Sequence, residues 1–402
     1  MKGSSGLQRT LAFSRYLPDH GWQPAVLTVN PRAYSRVSEE QLSQIPDSCP
    51  VVRAFGLDSS RHLSVFGRYP RRLALPDNWV SWTLGGVPAG LRMIRRFSPD
   101  VIWSTYPVAS AHLIGYLLHR LSGLPWVADF RDSMTEEGYP TEPAQRRSYQ
   151  RIERRTVARC ARAVFTAPGA LEMYASRYPD VPRERWALIP NGYDDQVFVQ
   201  AEQDFDFGSP PSHPICLVHS GALYPEERDP RQFYAALRQL LDAGELSPGR
   251  VRIMLRATGH DAHHGRLIAE HGVESIVHLG EALPYQEALR EMMQSHGLLL
   301  FQADNCNQQI PAKLYEYVRA ARPVYAMTSR HGDTAGELRN VGFEDISPLD
   351  DQAAIAKGFM AFVRKIEGGK AFVPDAETIR HFDRRTRTAE FAQLLNEVSS
   401  QG

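Results

Sequence analysis

The segment 305-NCNQQIPAKLYEYVRAARPVYAM-327 sets a lysine and a glutamate three residues apart where a helical pattern begins. Lys313 is the only lysine between Lys2 and Lys357, in a chain otherwise rich in arginine. Pro311 suits the first helical position, because the N–H it lacks would go unpaired there. The amides of Ala312, Lys313 and Leu314 would then point out of the helix start, where the dipole favours an anion. Lys313 adds a point charge at that end. Glu316 falls one turn later on the same face. A carboxylate there can accept hydrogen bonds from two vicinal hydroxyls. Phosphate at the helix start and ribose one turn on would hold a sugar joined to a phosphate chain. A solvated Lys–Glu pair on an ordinary helix explains the same spacing with no ligand.

Other residues carry chemistry with a plainer alternative beside it. The run 129-DFRD-132 follows an apolar strand, so its charges emerge at a carboxyl end, where sheets of this kind bind ligands. Asp132 there could take a proton from a hydroxyl; two carboxylates around Arg131 could equally be a structural ion-pair cluster. Gly3 and Gly6 lie in an opening loop that faces a cleft, or that simply caps a helix with Ser4 or Ser5. His112 sits in an apolar helix and reads as a packed histidine. His260, His263 and His264 read as a solvated loop and helix start, not as metal ligands. No Gly-x-Gly-x-x-Gly and no Gly-x4-Gly-Lys-Ser/Thr occurs. The Arg-rich helix 142–161 reads as exposed, packed by Tyr149, Ile152 and Cys160. The stretch 66–86 mixes arginines with Trp79 and Trp82, which suits either a membrane headgroup boundary or a packed loop.

The elements that must position these groups alternate. Apolar strands are predicted at 25–29, 50–55, 101–105, 125–130, 163–167 and 186–190, and again at 215–221, 251–258, 276–280, 297–301 and 323–327. Amphipathic helical stretches lie between them, which argues for parallel sheets covered on both faces. At 199–214 an acidic stretch passes into Gly, Ser and Pro, which is linker chemistry. The expected architecture is α/β, with two doubly wound Rossmann-like domains facing a cleft. The N-terminal domain spans 1–195 and the C-terminal domain 196–380. A final helix in 381–402, with Phe391, Leu394, Leu395 and Val398 in one stripe, packs back on the first domain. A doubly wound domain needs a buried strand before its first glycine loop, and Met1-Lys2 cannot supply it. The expectation is an internal start or a truncated chain, with a gap in the first sheet.

Composition adds boundaries. Lys plus Arg and Asp plus Glu each number 46, so no global charge points to nucleic acid. Cys49, Cys160, Cys216 and Cys306 are in no metal or redox spacing and read as free thiols of a reducing compartment. No apolar run is long enough to span a bilayer. A cytoplasmic protein, peripheral at most on the inner membrane, is expected.

The order 189-IPNGYDDQVF-198, 219-HSGALYPEERDP-230, IPAKLYEY and 322-RPVYAM-327 resembles glycosyltransferase family 4, which has the GT-B fold. The opening GSSGLQRTLAFSRYLPDHGW and 126-WVADFRDSM-134 extend the resemblance over nearly the whole chain. Transferases of bacterial exopolysaccharide and surface-polysaccharide assembly are the relatives it suggests. The resemblance implies that Glu316 is the second glutamate of a Glu-x7-Glu motif and holds a nucleotide ribose. The first glutamate falls at Gln308, a departure that leaves a neutral group to hydrogen-bond the donor sugar. Arg228 matches the basic residue that neutralises the donor diphosphate, and Ala222 stands where an arginine is common. Lys313 would make up that charge, and Gly221 would let the backbone approach the pyrophosphate. Gly3 and Gly6 would lie near donor phosphate or acceptor, with Arg131 and Asp132 at the acceptor.

The resemblance thus implies a retaining, metal-independent glycosyltransferase with no cofactor beyond a UDP- or GDP-sugar substrate. Its acceptor would be a saccharide or lipid-linked saccharide, with membrane contact around 66–86. Two rivals use the same scaffold: a nucleotide-sugar epimerase or hydrolase, and a degenerate subunit that binds without catalysis.

Overall fold

The structure is a computed structural model that describes residues 5–34, 44–64, 69, 71–203, 205 and 213–400. The chain divides into two units, Met1–Pro190 with Arg385–Gly402, and Asn191–Arg384. The junction therefore falls after Pro190, not at 195/196, and the second unit runs on to Arg384, not to 380. Both crossings sit together: Tyr193 N–H donates to Phe382 O at 3.1 Å and Arg384 N–H to Tyr193 O at 2.8 Å.

The first unit begins with α1 (Ser5–Tyr16), β1 (Val26–Val29), β2 (Val51–Ala54), α2 (Ser59–His62) and α3 (Trp82–Phe97). It continues with β3 (Ile102–Thr105), α4 (Ala109–Ser122), β4 (Trp126–Phe130), α5 (Pro143–Arg159), β5 (Arg162–Phe165), α6 (Pro168–Arg177) and β6 (Trp186–Leu188). Every strand pair is parallel. Among the described residues the strands form two separate sheets, β1–β2 and β3–β4–β5–β6. β4 is apolar at every position but Asp129 and is buried throughout, as a central parallel strand requires. Trp82 is buried in the cluster around β1, α3 and α4, and Trp79 Nε1 donates to Ala33 O at 3.2 Å. Residues 65–68 and 70 of that stretch lie outside the described residues.

The second unit opens with α7 (Asp195–Glu202), where a linker beginning at 199 was expected. Its acidic residues Asp195 and Glu202 pair with Arg319. Then follow β7 (Ile215–Ser220), α8 (Arg231–Asp242), β8 (Val251–Arg256), α9 (Asp261–His271), β9 (Val277–Gly280), α10 (Tyr285–Gln294) and β10 (Gly297–Phe301). α11 (Lys313–Arg319), β11 (Val324–Met327), α12 (Asp333–Val341), β12 (Ile346–Ser347), α13 (Gln352–Glu367) and α14 (Ala376–His381) complete it. The sheet order is β12–β11–β10–β7–β8–β9, parallel throughout. From β7 the chain moves outward on one side to β9, then crosses back to β10 and moves outward on the other. The reversal lies between the carboxyl ends of β7 and β10, the place where open α/β sheets bind ligands. Arg319 at the end of α11 pairs with Asp195 at 2.6 Å and Glu202 at 2.9 Å, which fastens α7 to this unit.

The last helix, α15 (Arg384–Ser399), returns to the first unit. Phe391, Leu394, Leu395 and Val398 share a core cluster with Phe13, Val127 and Val164. Phe391 stacks on Phe13 with ring centroids 4.6 Å apart.

Candidate functional site

β7 ends at Ser220, and the next residue turns sharply: Gly221 has φ +117°, a conformation that residues with a Cβ rarely adopt. A Cβ at Gly221 would stand 3.0 Å from Lys313 Nζ. The missing side chain is thus the space into which the lysine reaches from α11. Lys313 Nζ also lies 3.1 Å from His219 Nε2. His219 is fully buried on β7, and its Nδ1 lies 2.8 Å from Leu299 O on β10. A carbonyl can only accept, so the proton sits on Nδ1 and Nε2 offers a lone pair to the lysine. Burial, then the Lys313 charge, holds the His219 pKa well below the usual range, so the ring is neutral. Burial, then repulsion by Arg228, lowers the Lys313 pKa to about 7; Glu316 pulls the other way. Tyr317 closes the back of the site: its hydroxyl donates to Leu299 O at 3.2 Å and accepts from Ser220 N at 3.1 Å.

Arg228 lies in the loop after β7. Its Nη1 donates to Ala222 O at 3.0 Å, and its guanidinium lies over the Tyr224 ring at 5.5 Å. Glu316 Oε1 accepts from the Tyr285 hydroxyl at 2.7 Å. That bond, after burial and the Glu316 charge, raises the Tyr285 pKa. Lys313 and Glu316 therefore make no ion pair with each other. Each has its own neutral hydrogen-bond partner, which a solvated Lys–Glu pair would not need.

Several expectations are corrected here. Pro311 is not the first helical residue: α11 starts at Lys313 with Ala312 as its N-cap. The Leu314 amide does not point outward, because it donates to Pro311 O at 2.9 Å. A helix of seven residues supplies little dipole. The positive field here comes from the Lys313 and Arg228 side chains. Gln308 is exposed in a turn ahead of Pro311.

In the first unit, Gly6 is not in a loop but in the first turn of α1, and Gly3 lies outside the described residues. The run 129–132 splits by role. Asp129 is fully buried and accepts from Arg9 Nε and Nη2, both at 3.2 Å, and from Thr105 Oγ1 at 2.9 Å. Arg131 pairs instead with Asp132 at 3.6 Å. The Asp132 side chain is 54% exposed just beyond the carboxyl end of β4. Desolvation raises its pKa, and the Arg131 charge opposes the rise. His112 is packed, with Nδ1 2.8 Å from Ser104 Oγ and a pKa lowered by burial to about 4. His264 is buried, not solvated: its Nε2 lies 3.0 Å from Leu223 O. His219, Tyr285 and Tyr317 escaped the sequence reading. Only the apolar strand around His219 marked it, as a polar residue in a buried run.

The glycosyl transferase 4-like domain family matches residues 6–192. The matched stretch covers most of the first unit. Sucrose-phosphate synthase from Thermosynechococcus elongatus superposes with a TM-score of 0.64 at 14% identity, over 100% of this chain and 94% of that one. Anabaena HepE in complex with UDP and glucose gives 0.64 at 13% identity, over 99% and 97%. An α,α-trehalose 6-phosphate synthase from Burkholderia multivorans gives 0.59 at 14% identity, over 83% and 77%. The chain has the GT-B fold. No curated protein matches it by sequence. No described helix is long and apolar enough to cross a membrane.

Proposed function

We propose that the chain is a retaining glycosyltransferase that moves a sugar from a nucleotide-diphosphate sugar to a saccharide or lipid-linked saccharide in bacterial polysaccharide assembly. One observation carries this reading. A lysine seated by a neutral histidine fills the space left by Gly221, at the reversal point of the second sheet, with Arg228 close enough to shift its pKa. Two cations converging on a glycine turn suit a diphosphate. Glu316, one turn on, would accept from the ribose hydroxyls, displacing or sharing the Tyr285 bond. HepE, solved with UDP and with UDP-glucose, supports a UDP-type donor.

In the reaction the anomeric C–O bond to the diphosphate breaks and a C–O bond to the acceptor forms on the same face. Arg228 and Lys313 would take up the leaving-group charge without a metal. Asp132 would accept the proton of the acceptor hydroxyl. Gln308 has no charge to lend to an oxocarbenium-like centre, so it would at most hydrogen-bond the sugar. Arg228→Ala and Glu316→Ala should each raise the donor KM at least tenfold, and calorimetry should give UDP or GDP binding that both variants weaken. Unchanged donor kinetics in both would remove this assignment. Turnover of donor with no acceptor present would favour a hydrolase or epimerase instead.

A further inference from the structure

A cavity of about 540 Å³ lies in the first unit, between α5, the end of α6 and the loop after β4. Five arginines line it: Arg146, Arg147, Arg151 and Arg154 from α5, and Arg177 from α6. Its one carboxylate, Glu153, is already spent. That side chain is 1% exposed and its Oε2 accepts from Thr135 Oγ1 at 2.9 Å and the Tyr174 hydroxyl at 2.8 Å. Its Oε1 accepts from Arg177 Nη1 and the Tyr178 hydroxyl, both at 2.7 Å.

Glu153 thus balances Arg177 and nothing more. Arg146 Nη1 donates to the neutral Tyr139 O at 2.6 Å. Among the described residues, no carboxylate stands within ion-pair range of Arg147, Arg151 or Arg154. These three fall at i, i+4 and i+7, one stripe of the helix. Elsewhere exposed arginines of this chain do find acids, as Arg238 finds Asp242 and Arg364 finds Glu245. Like charges gathered around a concavity repel, and a bound anion relieves them. Guanidinium groups match phosphate oxygens with paired N–H donors.

We propose that this pocket binds a phosphate-bearing group, the phosphate or diphosphate of a soluble ligand or of a lipid headgroup. The pocket wall includes Thr135, three residues beyond Asp132 on the same loop. A phosphate seated there would help to hold an acceptor for the first unit; that consequence, though not the binding, rests on the acceptor reading of Asp132.

The test uses the full chain, inorganic pyrophosphate in calorimetry, and flotation with phosphatidylcholine vesicles with and without phosphatidic acid. Arg151→Glu with Arg154→Glu should weaken binding at least tenfold. Arg151→Gln with Arg154→Gln should weaken it less, with an unchanged melting temperature. Arg228→Ala, in the other unit, should leave this binding in place. Pyrophosphate binding alone would identify a soluble phosphate, and binding only to phosphatidic acid vesicles a headgroup. Either result, if sensitive to the charge reversal, supports the pocket. Absence of binding to both probes overturns it, as does binding that Arg228→Ala abolishes and the charge reversal spares. UDP binding measured on the same samples reports on the donor site separately, so the two readings fail independently.

Discussion

At the scale of single residues, Lys313 is the group whose state responds to conditions. With its pKa lowered to about 7, the free protein holds it partly neutral at physiological pH. A bound diphosphate favours the ammonium and raises that pKa, so binding takes up a proton. Below pH 7 the lysine is already charged and affinity is flat. Above it, donor affinity should fall by up to tenfold per pH unit until the bound-state pKa is passed. Calorimetry in buffers of different ionisation heat should show the proton uptake, and Lys313→Met should lose both the slope and the uptake. His219 acts through Lys313. His219→Phe keeps the ring volume but removes the acceptor for Nζ and the donor to Leu299 O. It should raise the donor KM more than it lowers kcat, and cost about 1–3 kcal/mol of stability from the disrupted buried hydrogen bonds. A donor KM equal to wild type in a folded His219→Phe protein would show that the histidine is structural only.

At the scale of elements, the first unit is fastened by one buried pair. Arg9 on α1 holds Asp129 on β4 with two bonds and reaches Pro190 O, beyond β6, at 3.0 Å. Removing one partner of a buried pair leaves the other charge unpaired. Arg9→Met should therefore destabilise the protein by about 3–5 kcal/mol in urea melts. The double variant with Asp129→Asn should recover part of that loss. This pair was not legible in the sequence. No motif singled out Arg9, and 129-DFRD-132 offered Arg131 as the nearer partner for Asp129. The strand decides otherwise. Asp129 points into the β3–β4–β5 layer where Thr105 and Arg9 meet it, while Arg131 has left the strand. The same kind of misreading shifted the junction. Glu202 looked like linker charge because its partner, Arg319, is more than a hundred residues away.

At the scale of the whole molecule, the chain ends in the unit in which it began. α15 places Phe391, Leu394, Leu395 and Val398 in the first unit's core, and Trp22 Nε1 donates to Asn396 Oδ1 at 2.9 Å. A chain stopped at Asp383 should expose Phe13, Trp103 and Val127. Calorimetry should then show a transition of the first unit moved to lower temperature, with the second unit's transition little changed. Loss of both transitions together would show that the units unfold as one. The apolar stripe of this helix was plain in the sequence, because four large residues at helical spacing need a surface to cover.

Local pattern determined the strands, most of the helices, the parallel class and the segment around Lys313 and Glu316, because periodicity and turn chemistry act over a few residues. It left out β12 and the helices α2, α7 and α12 to α14. Only the tertiary structure decided that Lys313 meets His219 and not Glu316, that Pro311 precedes the helix, and that Asp129 belongs to Arg9. Those pairings join residues distant in the chain. They depend on which strand ends lie side by side, and a sheet order that doubles back on itself is not written in any one segment.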